Sequence, residues 1–382
     1  MKRRAFLEKA GLGAFAATAL AGCTGSQQAG DGSASTDSDT SADGDTPTDG
    51  ATTGTTASGT PSGTLRVATY SSFTGEGTAG NWLKSAFEAE YPATTVEFTT
   101  PENGVNKYIL QQQKGAPIDA DLYVGLNTGE LVRTDRELDS SLFASIESDV
   151  ANVSEVKDSL RIDPDGRAVP YDTGYISLVY NANEVEAPGT FDALTTDEYE
   201  GDLIVQNAQQ SDPGRAFLLW TIDAKGEDGY LDYWEKLLAN GTTVLSDWEP
   251  AYQAYMNDEA PIVVSYSTDQ VYYHGEGVDI QKHQVGFLND QAYANPEAVA
   301  VFADTDTPDL ARRFVNFALS PEAQAEIAVR NVQFPAVAGV DPGEEFSKYA
   351  YEPEQPVTFT YEELSGNVDR WIEDWARTVA DA

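Results

Sequence analysis

The chain of 382 residues carries 63 Asp plus Glu against 23 Lys plus Arg, a formal net charge of −40, with a single cysteine. Such a polyanion excludes nucleic acid, whose phosphates demand basic contacts, and one cysteine excludes both a disulfide framework and a cysteine-based metal centre. The acidic residues are scattered among a normal aromatic complement rather than blocked, so they read as a hydrated, folded surface adapted to high salt, where repulsion is screened within ~3 Å at 1 M ionic strength.

The chain opens with Lys2, Arg3, Arg4 and Phe6-Leu7 ahead of a small, apolar run from Ala10 to Ala21. That run is short for a permanent span and fits an export signal over residues 1–22, with paired arginines like those of a twin-arginine signal. Leu20-Ala21-Gly22-Cys23 resembles a lipobox, which makes Cys23 the expected site of lipidation and places the protein on the outer face of the cell membrane. Residues 23–63 are almost entirely Gly, Ser, Thr, Asp, Ala and Pro; with no aromatic residue to seed a core, they are expected to form a flexible tether.

From residue 64 onward the pattern alternates. Leu65–Tyr70 reads as a strand and Asn81–Ala89 as the helix after it; Thr95–Phe98, Val105–Gln113 and Ala120–Val124 continue as strand, helix and strand. This is a parallel α/β lobe over 64–172, whose ligand edge lies at the carboxyl ends of the strands and brings Tyr70, Ser71, Ser72 and Asn127 to one crevice. Ile176–Tyr180 is expected to cross into a second lobe over 173–285, holding a strand at Asp202–Val205, helices at Arg215–Trp220, Tyr230–Ala239 and Glu249–Met256, and a strand at Ile262–Tyr266. Residues 286–382 return to the first lobe with a strand at Ala298–Phe302 and helices at Thr307–Leu319, from Ser320-Pro321, and from about Tyr361. Trp371 and Trp375 share one face of that last helix and should dock on a lobe.

Six blocks in order carry a resemblance: Val67–Phe73, Val169–Tyr175, Leu218–Trp220, Trp248–Tyr252, Ser265–Thr268 with Tyr272-Tyr273-His274, and Trp371–Trp375. From about Thr64 to the C-terminus the chain is similar to the thiamine-binding periplasmic protein family. The resemblance implies a two-lobed, type II periplasmic-binding-protein fold, each lobe a mixed, mainly parallel sheet flanked by helices. It implies a monomeric solute-binding protein that captures thiamine or a thiamine phosphate and delivers it to the permease of an ABC importer, without a cofactor or metal of its own.

Thiamine joins a fixed thiazolium cation to a flat aminopyrimidine, so its pocket needs aromatic faces, few carboxylates and hydroxyl or amide partners; a cation over an aromatic face contributes ~0.5–2 kcal/mol. The resemblance implies Tyr70, Trp248, Tyr266 and Tyr272 as aromatic walls, Asp172 as the acidic partner, and Ser211 with Gly214 as the polar end. Ser71, Ser72, Asn127 and Thr268 join them because they follow strand ends. Each also has a plain structural reading: Trp248 and Tyr252 are spaced as a core stripe, Asp172 fits a turn, Ser211-Asp212-Pro213-Gly214 fits a helix start, and Tyr171 and Tyr175 read as hinge packing. Asp212 would repel a phosphate, which favours free thiamine over its phosphates.

Other functions compete. Tyr272-Tyr273 beside His274 would suit ferric ion, since phenolates favour a hard trivalent cation. A polyamine or a pyrimidine precursor also suits acidic and aromatic walls. A thiaminase-like transferase shares this kind of fold, but it needs a cysteine nucleophile and only Cys23 exists, leaving His274 and His283 as bases with nothing to activate.

Overall fold

A computed structural model describes residues 61–382. The export-signal and Cys23-lipidation expectations fall outside those residues, as does the expected tether except for its last three residues, of which Gly63 already begins the first strand.

Among the described residues the sequence alternation closes into one eleven-stranded mixed sheet. In the first half, β1 (Gly63–Ala68) pairs parallel with β2 (Thr94–Thr99) and with β3 (Leu122–Leu126). The short helix α1 (Ser71–Thr74), α2 (Ala79–Glu90) and α3 (Asn106–Gln113) connect them. Predicted β1 ran two residues too far, because Tyr70 already serves as N-cap of α1.

An unpredicted helix, α4 (Thr128–Glu137), follows β3. Its start is a capping box: Asn127 Oδ1 accepts from the Glu130 N–H at 2.9 Å, and Glu130 reaches back to the Asn127 N–H at 3.3 Å.

The strand expected at Ile176–Tyr180 is longer than its pattern suggested. β4 runs unbroken over Ala168–Tyr180, with every residue but the last buried. Asp172, which before Thr173-Gly174 fits a turn by its sequence, lies inside this strand. The structure absorbs the proline in a bulge, where the β4–β9 register shifts between Pro170 and Asp172; a bulge is where a sheet tolerates a missing N–H. β4 and β9 (Gln291–Val301) are antiparallel and belong to both halves of the protein.

In the second half, β5 (Leu203–Gln206) lies parallel to β6 (Thr243–Leu245) and β7 (Ile262–Tyr266), while β7 pairs antiparallel with β4. Its helices are α5 (Asp212–Lys225), α6 (Tyr230–Ala239), α7 (Trp248–Met256) and the short α8 (Asp269–Tyr272).

The returning chain supplies β8 (Gln284–Gly286), β9, α9 (Pro308–Ala318) and α10 (Pro321–Ile327). α9 and α10 cover the first core, where Phe314, Val315 and Ile327 meet Leu65, Val67 and Phe87. After β10 (Phe334–Pro335), α11 (Glu344–Tyr349) and β11 (Gln355–Val357), the terminal helix α12 (Tyr361–Asp381) goes elsewhere. It carries Trp371 and Trp375 into the second core, with Trp375 edge-on to Trp234 at 5.4 Å. Trp220 is wholly buried in that core beside Phe191 and Phe217.

Candidate ligand site where the halves meet

The centre of the site is a pair of carboxylates on neighbouring strands. Asp172 on β4 stands opposite Glu297 on β9 in the sheet register. Asp172 is completely buried, and neither carboxylate has a lysine, arginine or histidine within ion-pair distance among the described residues.

Phenols and an amide serve them instead. Tyr70 and Tyr171 both donate to Glu297 Oε2, at 2.8 and 2.5 Å, and their own oxygens lie 3.3 Å apart. Asn331 donates through Nδ2 to Asp172 Oδ2 at 2.7 Å and to the Tyr70 oxygen at 3.1 Å. Asp172 Oδ1 is buried without a hydrogen-bond partner.

Burial pushes the Asp172 carboxyl well above the usual range, and the Glu297 charge adds to this; the Asn331 bond pulls it partly back. Glu297 is raised by burial, offset by its two tyrosine donors. Tyr70, Tyr171 and Tyr266 are all raised, by burial first and then by Glu297, so each stands as a neutral phenol.

Two backbone features hold this arrangement. Gly125 in β3 has φ +96°, and a Cβ there would lie 2.5 Å from the Tyr70 ring. Only glycine allows the ring that position. Asn331 sits in a π-helical turn, Ala328–Val332, which ends on Val332 at φ +56°. A β-branched residue in the left-handed region is strained, and π-turns concentrate at functional sites; here the turn aims Asn331 at Asp172.

The second half contributes a ring column. Trp248, at the start of α7, is half-buried; its Nε1 donates to Ser265 Oγ at 3.0 Å, and its ring stacks on Tyr252 at 4.9 Å and 24°. Tyr252 in turn stacks near Tyr273 at 5.9 Å, and Tyr273 on His283 at 4.0 Å. Asp269 anchors the base, accepting from Tyr252 at 2.6 Å and facing His283 Nδ1 at 2.8 Å. Tyr266 ends β7, half-buried, and feels the charges of Glu297, Asp212 and Asp172.

The remaining expected residues separate. Ser71 and Ser72 are exposed on α1. Asn127 spends its Oδ1 on the helix cap and gives its Nδ2 to Asp212 Oδ2 at 3.1 Å, so it bridges the halves. Asp212 also pairs with Arg215 at 3.0 Å, which offsets part of its charge. Ser211 is the N-cap of α5, yet its Oγ makes no capping bond and is buried without a partner. Gly214 has a packing reason to be glycine, since a Cβ would lie 2.5 Å from the Gln206 carbonyl oxygen. Thr268 is buried at the start of α8, and Tyr272 is 38% exposed at its end.

Tyr272 and Tyr273 do not converge with His274 on one point. Tyr273 lies flat on His283, whereas His274 stacks on Tyr349 at 4.0 Å and faces Glu345 at 2.9 Å. Among the described residues no group of three or more His, Cys, Asp or Glu is placed to hold a metal ion.

Glu297 and Asn331 did not stand out in the sequence, and Tyr171 was read as hinge packing. Glu297 is recognisable only through its register with Asp172. Asn127 carried a legible signal in Asn127-Thr128-Gly129-Glu130, the pattern of a capped helix start.

Two α/β halves sharing β4 and β9, with a polar and aromatic site where they meet, define a solute-binding protein of the type II periplasmic-binding fold. A family model described as bacterial extracellular solute-binding protein matches residues 82–353, and the chain belongs to that family. The thiamine-binding periplasmic protein of Escherichia coli (strain K12) is 29% identical over 323 residues, covering 83% of this chain and 93% of the relative. A solved structure of a periplasmic thiamin binding protein aligns with a TM-score of 0.71 at 29% identity, over 84% of this chain and 98% of that one. An iron- and citrate-bound protein from Trichodesmium aligns with a TM-score of 0.68 at 16% identity, over 83% and 99%, a likeness of fold alone. Among the described residues no helix is long and apolar enough to cross a membrane.

Proposed function

We propose that this protein binds thiamine and presents it to the permease of an ABC importer, held at the membrane by a lipid on Cys23. The observation that carries the ligand is the Asp172–Glu297 pair: two acids on paired strands, with no basic partner among the described residues and with Tyr70, Tyr171 and Tyr266 around them. Buried charge is retained where something pairs with it, and a cation carrying flat rings is that partner. The thiamine-binding relatives agree with this chemistry.

In this reading Trp248, Tyr70 and Tyr266 are the aromatic walls, Asp172 and Glu297 meet the cation, and the unspent Ser211 hydroxyl supplies the polar end. Tyr272 and Thr268 line the rim; Asn127 fastens the halves. Asp212 disfavours a terminal phosphate, so free thiamine is preferred over its phosphates. The site offers no activated nucleophile, and the role is capture rather than catalysis.

Ferric ion is the reading to test against. It calls for ionised phenolates, whereas Tyr70 and Tyr171 are held neutral by burial and by donating to Glu297. Mass spectrometry of ligand released from natively purified protein decides: thiamine supports the proposal, and bound iron without thiamine overturns it.

A further inference from the structure

We propose that Asp172 and Glu297 share one proton in the ligand-free protein, carried by Asp172, and that a fixed-charge cation entering the site expels it, so that ligand capture is coupled to release of one proton. This rests on the thiamine reading for the identity of the cation, but the shared proton itself does not.

The placement of the proton follows from the hydrogen-bond inventory. Glu297 accepts two hydroxyl donors on Oε2, from Tyr70 and Tyr171, which favours its ionised form. Asp172 has no exposure, one neutral amide donor on Oδ2, and nothing on Oδ1. Two ionised carboxylates at paired positions of adjacent strands repel, so the less supported one keeps its proton.

β9 brings Glu297, the segment after β1 brings Tyr70, β4 itself brings Tyr171, β7 brings Tyr266, the π-turn brings Asn331, and α5 adds the charge of Asp212, felt at Glu297. β10 pairs with β4 at Asp172 through Pro335 and brings no charge, while the arginines of α5 and the π-turn are engaged elsewhere, Arg215 with Asp212 and Arg330 with Glu326, so no positive charge lies within ion-pair distance of Asp172 among the described residues. A thiazolium has no proton to lose or share, and its fixed positive charge beside ionised Glu297 offsets the repulsion that keeps Asp172 protonated, so Asp172 ionises as well. The balance is simple: protonated Asp172 plus cation gives the carboxylate–cation pair, and the proton passes to solvent.

The test has two arms at constant high ionic strength. Calorimetric titration of the full chain with thiamine, in buffers of differing ionisation enthalpy, should show close to one proton released per thiamine at the acid end of the range. Over that range affinity should rise by up to tenfold per pH unit and then level off. Asp172→Asn should bind more weakly and release no proton. Wild-type thiamine binding with no buffer dependence at any pH overturns the proposal.

The second arm uses no ligand. A raised folded-state pKa means that the folded protein holds more protons, so stability falls as pH rises from about 3.9, the unfolded value for Asp, through the folded value. Asparagine mimics the protonated acid, so Asp172→Asn should gain on wild type by up to tenfold in folding equilibrium constant per pH unit within that window. A constant gap overturns the shared proton. If this arm succeeds while wild type ignores thiamine, the thiamine reading falls and the proton pair stands. Should Asp172→Asn fail to fold, Glu297→Gln serves both arms, with proton release reduced because the repelling charge is gone.

Discussion

Replacing Trp248 by alanine separates the ligand wall from the scaffold beneath it. The indole stacks on Tyr252 at 4.9 Å, and its Nε1 bonds Ser265 Oγ at 3.0 Å, so the variant loses a ring pair worth ~0.5–1.5 kcal/mol and a hydrogen bond worth ~1 kcal/mol. A drop in folding stability on the order of 2 kcal/mol follows from these two terms. The ligand loses a cation–π contact and the burial against the ring, together about 2–4 kcal/mol. At about 1.4 kcal/mol per decade, thiamine affinity should weaken by roughly one and a half to three orders of magnitude. Tyr252→Phe is the matched control. It keeps the stack under Trp248 and removes only the hydroxyl bonded to Asp269 at 2.6 Å and His283 at 3.2 Å, so it should lower stability by ~1–3 kcal/mol and leave affinity close to wild type. Calorimetric titration in high salt, with chemical unfolding of the same samples, reads both quantities. Unchanged thiamine affinity in Trp248→Ala would remove the indole from the ligand wall, whatever happened to stability.

Gly125→Ala should displace Tyr70, because its Cβ would lie 2.5 Å from that ring at a φ of +96°; overpacking and left-handed strain together cost roughly 2–4 kcal/mol, and a variant with wild-type melting and affinity would contradict the close approach. Trp375→Ala empties part of the second core beside Trp234 and should destabilise by ~3–5 kcal/mol, with the surviving folded fraction binding normally; unfolding with guanidinium chloride and titration check the two halves of that statement. Transfer to low salt should lower the melting temperature, since a net charge of −40 is then unscreened, and a temperature indifferent to salt would contradict the high-salt reading of the composition. Cys23→Ser should release a folded protein to the medium; membrane retention, followed by fractionation, would count against a lipid on that residue.

The sequence carried most of the alternation of strands and helices from β1 to β7, missing α4 and the short β6, because an element that buries its own periodic apolar face shows that periodicity locally. It also carried the aromatic residues now found in the ring column and the two cores. Its span for β4 is too short, because Asp172 ahead of Thr173-Gly174 has the local chemistry of a turn, and only pairing with β9 makes those residues part of a strand. Asn127 was read as a ligand donor from its place after a strand, although a helix cap three residues long was written beside it; the cap and the bond to Asp212 together commit both ends of its amide. The site acids lie beyond local reasoning altogether. Asp172 and Glu297 meet through the register of two long strands, and Asn331 reaches them from a π-turn closed by a strained Val332. Whether a carboxyl is ionised depends on what surrounds it, and that surrounding is assembled from residues far apart in the chain. Tertiary structure alone decides where the missing positive charge belongs, because desolvation and like-charge repulsion act through space.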